Sequence, residues 1–103
     1  MEKEIKYTFP AVFRPEEAGG YIVSFPQLDG CFTQGDTFEE ARQMAVEAMS
    51  LHLYGMEEDN EMIPAPSMDI ETNKGELVVP ITAWMTPYRE EMENRAVKRN
   101  HSK

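Results

Sequence analysis

The sequence predicts an α+β domain: a three-stranded antiparallel meander, a helix, a fourth edge strand and a short C-terminal helix, in the order β-β-β-α-β followed by α. Three observations carry this. Residues 5–14 alternate in polarity with the period of a strand, residues 37–53 switch to the period of a helix behind a capping signal, and residues 76–85 return to alternation.

In the first strand Ile5, Tyr7, Phe9, Ala11 and Phe13 share one face, while Lys6, Thr8, Val12 and Arg14 share the other. Pro10 lies within it and cannot donate to a ladder, so a bulge or a locally unpaired amide is expected there. The stretch 15–20 reads as a turn whose two glycines, Gly19 and Gly20, supply positive φ. A second strand follows, with Tyr21, Val23 and Phe25 on one face and Ile22 and Ser24 on the other. Pro26 to Gly30 turns again, and Cys31 to Gln34 forms a short third strand. Two tight turns in succession make these strands an antiparallel meander.

Thr37-Phe38-Glu39-Glu40 fits a capping box, with Thr37 as the N-cap and Glu40 reaching back to the free amides. Phe38, Ala41, Met44, Ala45, Ala48, Met49, Leu51 and Leu53 then fall on one arc of the helix. Glu39, Glu40, Gln43, Glu47, Ser50 and Tyr54 fall opposite, and Gly55 suits the C-cap. This arc is wider than the roughly 100° of an ordinary surface helix, so its flanks are expected to meet something besides the sheet. Residues 57–61 read as an acidic loop, and Ile63-Pro64-Ala65-Pro66-Ser67 as an extended connection. The fourth strand, Glu76 to Met85, carries Pro80, which argues for an edge position. With a helix before it, this strand is expected to run parallel to its neighbour through a crossover. Thr86 and Pro87 read as the cap and first residue of a short helix ending near Arg95.

Charge is uneven along the chain. The net charge is −9, yet Asn94 to Lys103 hold Arg95, Lys98, Arg99 and Lys103 with no acid, leaving −13 on the first 93 residues. So acidic a body repels phosphate backbones and favours a basic protein partner, whose approach it would steer; simple solubility accounts for the same acidity. The opening Met1-Glu2-Lys3-Glu4 lacks a secretory layout, no apolar run approaches a membrane span, and Cys31 has no intrachain partner. A cytoplasmic protein without membrane contact is expected.

The chemistry of catalysis is thin. The element order invites comparison with the ribonuclease H fold, whose activity gathers carboxylates around two metals. Here the corresponding strand positions are Tyr7, Phe9, Ala11, Val78, Val79, Ile81 and Thr82. Cys31 reads as a small core residue, His52 as a partly buried helix residue and His101 as part of a tail. No zinc-ligand spacing exists, and no cofactor is expected. Met44 and Met49 read as core filler. The glycines have turn or cap explanations rather than a phosphate-cradling pattern.

One stretch is more specific. Tyr21-Ile22-Val23-Ser24-Phe25-Pro26-Gln27-Leu28-Asp29-Gly30-Cys31-Phe32-Thr33-Gln34-Gly35-Asp36-Thr37-Phe38-Glu39-Glu40-Ala41 resembles the HicB family of type II antitoxins, as do Tyr7–Phe13 and Ile63–Ser67. The motif positions are Tyr21, Phe25, Pro26, Leu28, Gly30, Cys31, Thr33, Gly35, Asp36, Thr37, Glu39, Glu40 and Ala41. They are turn formers, strand formers and a helix cap, so they report a fold more than a reactive site. The resemblance implies a partial ribonuclease-H-like domain over residues 1–86 with no nuclease activity. It also implies a small, basic, mRNA-cleaving HicA toxin as partner, whose active surface the antitoxin covers.

Members of that family usually continue into a DNA-binding element. Here Asn94–Asn100 resembles the run into a ribbon strand, and the chain stops at His101-Ser102-Lys103. Residues 87–103 are therefore expected to be a short helix and basic tail, the start of such an element, and autorepression by this chain is not expected. Partner-binding candidates are Glu39, Glu40, Glu47, Glu57, Glu58 and Asp59. Arg95, Lys98, Arg99 and Lys103 are candidates for touching nucleic acid from the tail. A homodimer or homotetramer is expected, because proline-bearing edges and a wide apolar arc leave surface to cover. Two other readings stand beside the antitoxin: an RNA-binding regulator on the same sheet, and a structural protein that only self-associates.

Overall fold

A computed structural model describes the backbone of residues 4–101 and the side chains of residues 4–96. Its elements are β1 (Lys6–Pro15), β2 (Tyr21–Ser24), β3 (Phe32–Gly35), α1 (Phe38–Glu58), β4 (Leu77–Trp84) and α2 (Met85–His101). The strands form one sheet in the order β3-β2-β1-β4, so β4 occupies the edge that Pro80 demands. Pro10 stands directly opposite Pro80 in the register of β1 and β4. Neither can donate, and an antiparallel ladder accommodates two such residues where the facing pair exchanges no hydrogen bond. No bulge is needed.

The expected parallel crossover is not what forms: β4 runs antiparallel to β1, with Leu77 opposite Phe13 and Trp84 opposite Lys6. The reason is a second passage of the chain. Helix α1 begins where the Phe38 ring packs against Phe13 and edge-on against Tyr21, and ends where Glu57 meets the Tyr7 hydroxyl. The connection after Asp59 then travels back along the sheet before β4 starts beside Phe13. It has no regular structure over residues 61–73. Ile63 is tucked against the core, and the Ser67 amide donates to Gln27 Oε1 at 3.1 Å.

One face of the sheet carries the core. Phe9, Ala11, Phe13, Val23, Ile81 and Ala83 are buried against Ala41, Ala45, Met49 and Leu53 of α1. The turn between β2 and β3 contributes Phe25, Leu28 and Cys31 to the same core, closed by bonds from the Phe25 amide to the Cys31 carbonyl at 3.1 Å and from the Cys31 amide to the Leu28 carbonyl at 3.0 Å. Cys31 thus precedes β3 rather than opening it. On the opposite sheet face Thr8 and Thr82 share a hydrogen bond at 2.8 Å, and the Lys6 ammonium lies 4.9 Å from the centre of the Trp84 ring.

Helix α1 starts as expected. Thr37 is extended, its Oγ accepts from the Glu40 amide at 3.0 Å, and Glu40 Oε1 accepts from the Asp36 amide at 3.2 Å. The end differs. Gly55 lies inside the helix, which continues to Glu58 with Asp59 as C-cap and Asn60 at a φ of 57°. Asparagine tolerates that left-handed conformation and serves the cap in place of glycine. Ser50 and Tyr54, expected on the outer side, are not free there. Ser50 is buried and donates to the Val46 carbonyl at 2.7 Å, and Tyr54 meets Tyr88 of α2 edge-on at 5.8 Å.

Helix α2 accounts for that second contact. It begins directly after β4, at Met85, which is fully buried and whose amide donates to the Ile5 carbonyl at 2.8 Å. Thr86 is therefore inside the helix rather than its cap, and Pro87 occupies the first turn, where a missing amide costs nothing. The helix also runs past Arg95 to His101, where a basic tail was expected. Arg95, Ala96, Lys98 and Arg99 are good helix formers, and an Arg95–Glu91 ion pair at 2.5 Å ties successive turns.

Candidate partner-binding surface

None of the four strands contains an acidic residue, so the acids lie on the helices, turns and connections. Of the predicted partner-binding candidates, Glu39, Glu40, Glu47, Glu58 and Asp59 are exposed along α1 and its C-cap. Glu39 is held by Arg42 at 2.8 Å, and the Arg42 hydrogen bond and charge pull its carboxyl below the ordinary range. Glu40 is partly occupied by its capping role. Arg95 is exposed on α2. Lys98 and Arg99 lie on the same helix with side chains outside the described residues, as is Lys103 altogether.

Glu57 departs from the expectation of a surface acid. Its side chain is 3% exposed and receives Arg89 through two hydrogen bonds, Nε to Oε1 at 2.9 Å and Nη2 to Oε2 at 2.6 Å, while the Tyr7 hydroxyl donates to Oε2 at 3.1 Å. Arg89 also donates to the Glu4 carbonyl at 2.5 Å. The bond to Glu57 raises the Arg89 pKa, and burial raises that of Tyr7. This cluster joins β1, α1 and α2. It is an anchor for α2 rather than a docking point, and the sequence hid it because a loop was expected at residues 57–61.

The motif residues divide in the same way. Phe25, Leu28, Cys31, Gly35 and Ala41 are buried, Tyr21 packs edge-on against Phe38 at 5.6 Å, and Thr33 is half-buried. Pro26, Gly30, Asp36, Thr37, Glu39 and Glu40 are exposed. Gly30, at a φ of 83°, turns the chain toward Cys31. Cys31 itself is a core residue: burial pushes its thiol up to about 11. At pH 8 that shift alone lowers the thiolate fraction about a hundredfold relative to an ordinary cysteine, so alkylation in the folded protein is expected to be slower than in denaturant by at least that factor. Equal rates in both states, followed by mass spectrometry, would refute the assignment. Among the described residues no group of three His, Cys, Asp or Glu side chains is placed to hold a metal ion, and no helix is long and apolar enough to cross a membrane.

What the structure adds is a trough along the outer side of α1. Met44, expected in the core, is 38% exposed, and Leu51 is 57% exposed, so the flank of the wide arc stays uncovered. Between α1 and the β2–β3 turn lies a hollow lined by Leu28, Leu51, His52, Gly55 and Met56, with Asp29 and Glu61 at its rim. It adjoins a second hollow lined by Gly30, Cys31, Phe32, Ala48, Leu51 and His52. His52 is half-buried, as the sequence suggested, and stands where the two meet. On the other side of Leu51, a third hollow between α1 and α2 is bordered by Glu47, Glu91 and Arg95. The signal for this surface in the sequence was the excess width of the apolar arc.

Fold and surface together define a β-β-β-α-β domain with an open, acid-rimmed face beside its first helix. The family model of HicB-like antitoxins of bacterial toxin–antitoxin systems matches residues 9–97, and the chain belongs to that family. Antitoxin HicB 1 of Photorhabdus laumondii is 48% identical over 58 residues, covering 56% of this chain and 37% of that protein. Antitoxin HicB of Escherichia coli K12 is 41% identical over 59 residues, covering 57% of this chain and 43% of that one. Antitoxin HicB 2 of P. laumondii is 37% identical over 83 residues, 81% of this chain and 54% of its own length. The chain therefore matches about a third to a half of these curated relatives. In structure it is similar to a chain of a toxin–antitoxin complex from Streptococcus pneumoniae, with a TM-score of 0.69 and 21% identity over 81% of this chain and 72% of that one. It is also similar to a chain of the HicA3 and HicB3 toxin–antitoxin complex, with a TM-score of 0.59 and 24% identity over 73% of this chain and 95% of that one. Both likenesses concern the fold.

Proposed function

We propose that this chain is an antitoxin that binds and neutralises a small, basic, mRNA-cleaving toxin of the HicA kind in the cytoplasm, with no catalysis of its own. The observation that carries this reading is the family match over residues 9–97. Charge supports it independently: with 19 acids against 10 bases and the strands free of acid, the acids sit on helices, turns and connections, and a basic protein would be drawn to the chain.

The test is neutralisation. A HicA-type toxin incubated with this chain is expected to form a complex stable to gel filtration and to lose its cleavage of a single mRNA substrate at equimolar ratio. Unimpeded cleavage with no complex would sink the proposal. The competing RNA-binding reading would instead show tight, salt-sensitive affinity of the chain alone for RNA. The acidic body opposes that outcome.

A further inference from the structure

We infer that the trough between α1 and the β2–β3 turn docks a basic segment of the toxin, seating one apolar side chain of that segment between Leu51 and Phe32. This rests on the antitoxin reading and specifies where it operates. Two large apolar side chains stand uncovered at the trough, Phe32 at 71% and Leu51 at 57% exposure. The lining beside them is low: Ala48 and Gly30 share a hollow with both, Gly55 lies in the adjoining hollow next to Leu51, and a Cβ built on either glycine meets nothing within 4 Å. A side chain from a partner can therefore reach the floor and lose its water against Phe32 and Leu51. That is the anatomy of an interface centre, an apolar anchor site surrounded by polar groups.

The rim decides the occupant. Asp29 and Glu61 border one end, Glu47 flanks the far side of Leu51, where Glu91 is paired with Arg95, and neither of the two hollows next to the β2–β3 turn has a Lys or Arg in its lining. Phosphate groups of RNA would be repelled here. A second copy of this chain docking through the same face would bring the same acids against these. A partner segment with Lys or Arg beside an apolar residue satisfies both the rim and the floor, and the charges would speed its arrival while the apolar contact held it.

Binding of a purified HicA-type toxin to the full chain, followed by calorimetry, tests this. Leu51→Ala and Phe32→Ala are each expected to weaken binding at least about tenfold, and together more, while thermal unfolding is unchanged because both side chains are exposed. Gly55→Trp is a second, opposite kind of variant. It removes nothing, lies within a helix where glycine is the poorer former, and fills the trough, so stability is expected to hold or rise while affinity falls at least about tenfold. Met62→Ala, at an 84% exposed methionine outside these hollows, should leave affinity within about twofold. Parental affinity in the Leu51/Phe32 double variant and in Gly55→Trp would overturn the docking site while leaving neutralisation intact. Failure of the parent chain to bind any toxin would overturn the antitoxin reading and this inference together.

Discussion

Replacing Arg89 by alanine is expected to cost about 3–5 kcal/mol, because it takes the forked guanidinium away from a carboxylate buried in the interior. The carboxylate is 3% exposed and is reached by the forked guanidinium from one side and the Tyr7 hydroxyl from another. Against a total stability of about 5–15 kcal/mol for a domain of this kind, such a loss is large. The melting temperature should fall by roughly 12 °C or more. The effect has a specific structural consequence, since Arg89 is also tied to the Glu4 carbonyl, and its neighbour Tyr88 packs on Tyr54. Losing it removes the ties of the first turns of α2 to Glu57 of α1 and to the chain just before β1, and leaves the helix held by Met85 and the Tyr88–Tyr54 contact.

The control is the double replacement Glu57→Leu with Arg89→Leu. Removing both charges removes the cost of burying a carboxylate without its guanidinium, and apolar groups of similar volume recover part of the packing. The double variant is therefore expected to be more stable than Arg89→Ala alone, by about 2 kcal/mol in chemical denaturation. If the single variant lost less than about 1 kcal/mol, or the double variant lost as much as the single, the pair would not be the anchor described.

The contrast between Glu57 and Glu40 shows where sequence reading succeeds and where it stops. Glu40 was legible because a capping box is local: Thr37 and Glu40 are three residues apart and bond within one turn. Strand faces were legible for the same reason, as period two places Phe9, Ala11 and Phe13 on one side whatever β1 pairs with. Glu57 was not, because its partner is 32 residues away on a helix whose position depends on β4 running antiparallel. That direction in turn depends on how residues 59–76 travel, and a connection with two prolines and no periodicity announces only that it is extended. The binding surface was half legible. The acids along α1 could be counted, but the trough exists only once the β2–β3 turn is set beside the uncovered flank of the helix.

Gly35→Ala is expected to be the most damaging single methyl in the chain, costing at least about 3 kcal/mol, at or beyond the upper end of ordinary overpacking. The residue ends β3, and the backbone of α1 turns directly over it. A Cβ there would sit 2.6 Å from the Ala41 Cα and 2.9 Å from the Glu40 carbonyl carbon, nearer still to the Ala41 nitrogen. These are backbone atoms in the first turn of a capped helix, so no rotamer change relieves the clash. Either α1 tilts off the sheet, which opens the core around Ala41 and Ala45, or β3 leaves its pairing with β2. Gly55→Ala makes the informative comparison. Its Cβ meets nothing, its φ is not positive, and it lies within α1, so the same methyl should stabilise by about 0.5–1 kcal/mol. Opposite signs from identical chemistry, read as shifts in urea midpoint, would establish that the glycine of the Gly35-Asp36-Thr37 motif serves close helix–strand packing and not flexibility. If Gly35→Ala instead shifted the midpoint no further than an ordinary surface change, then α1 would not pack over β3 as described.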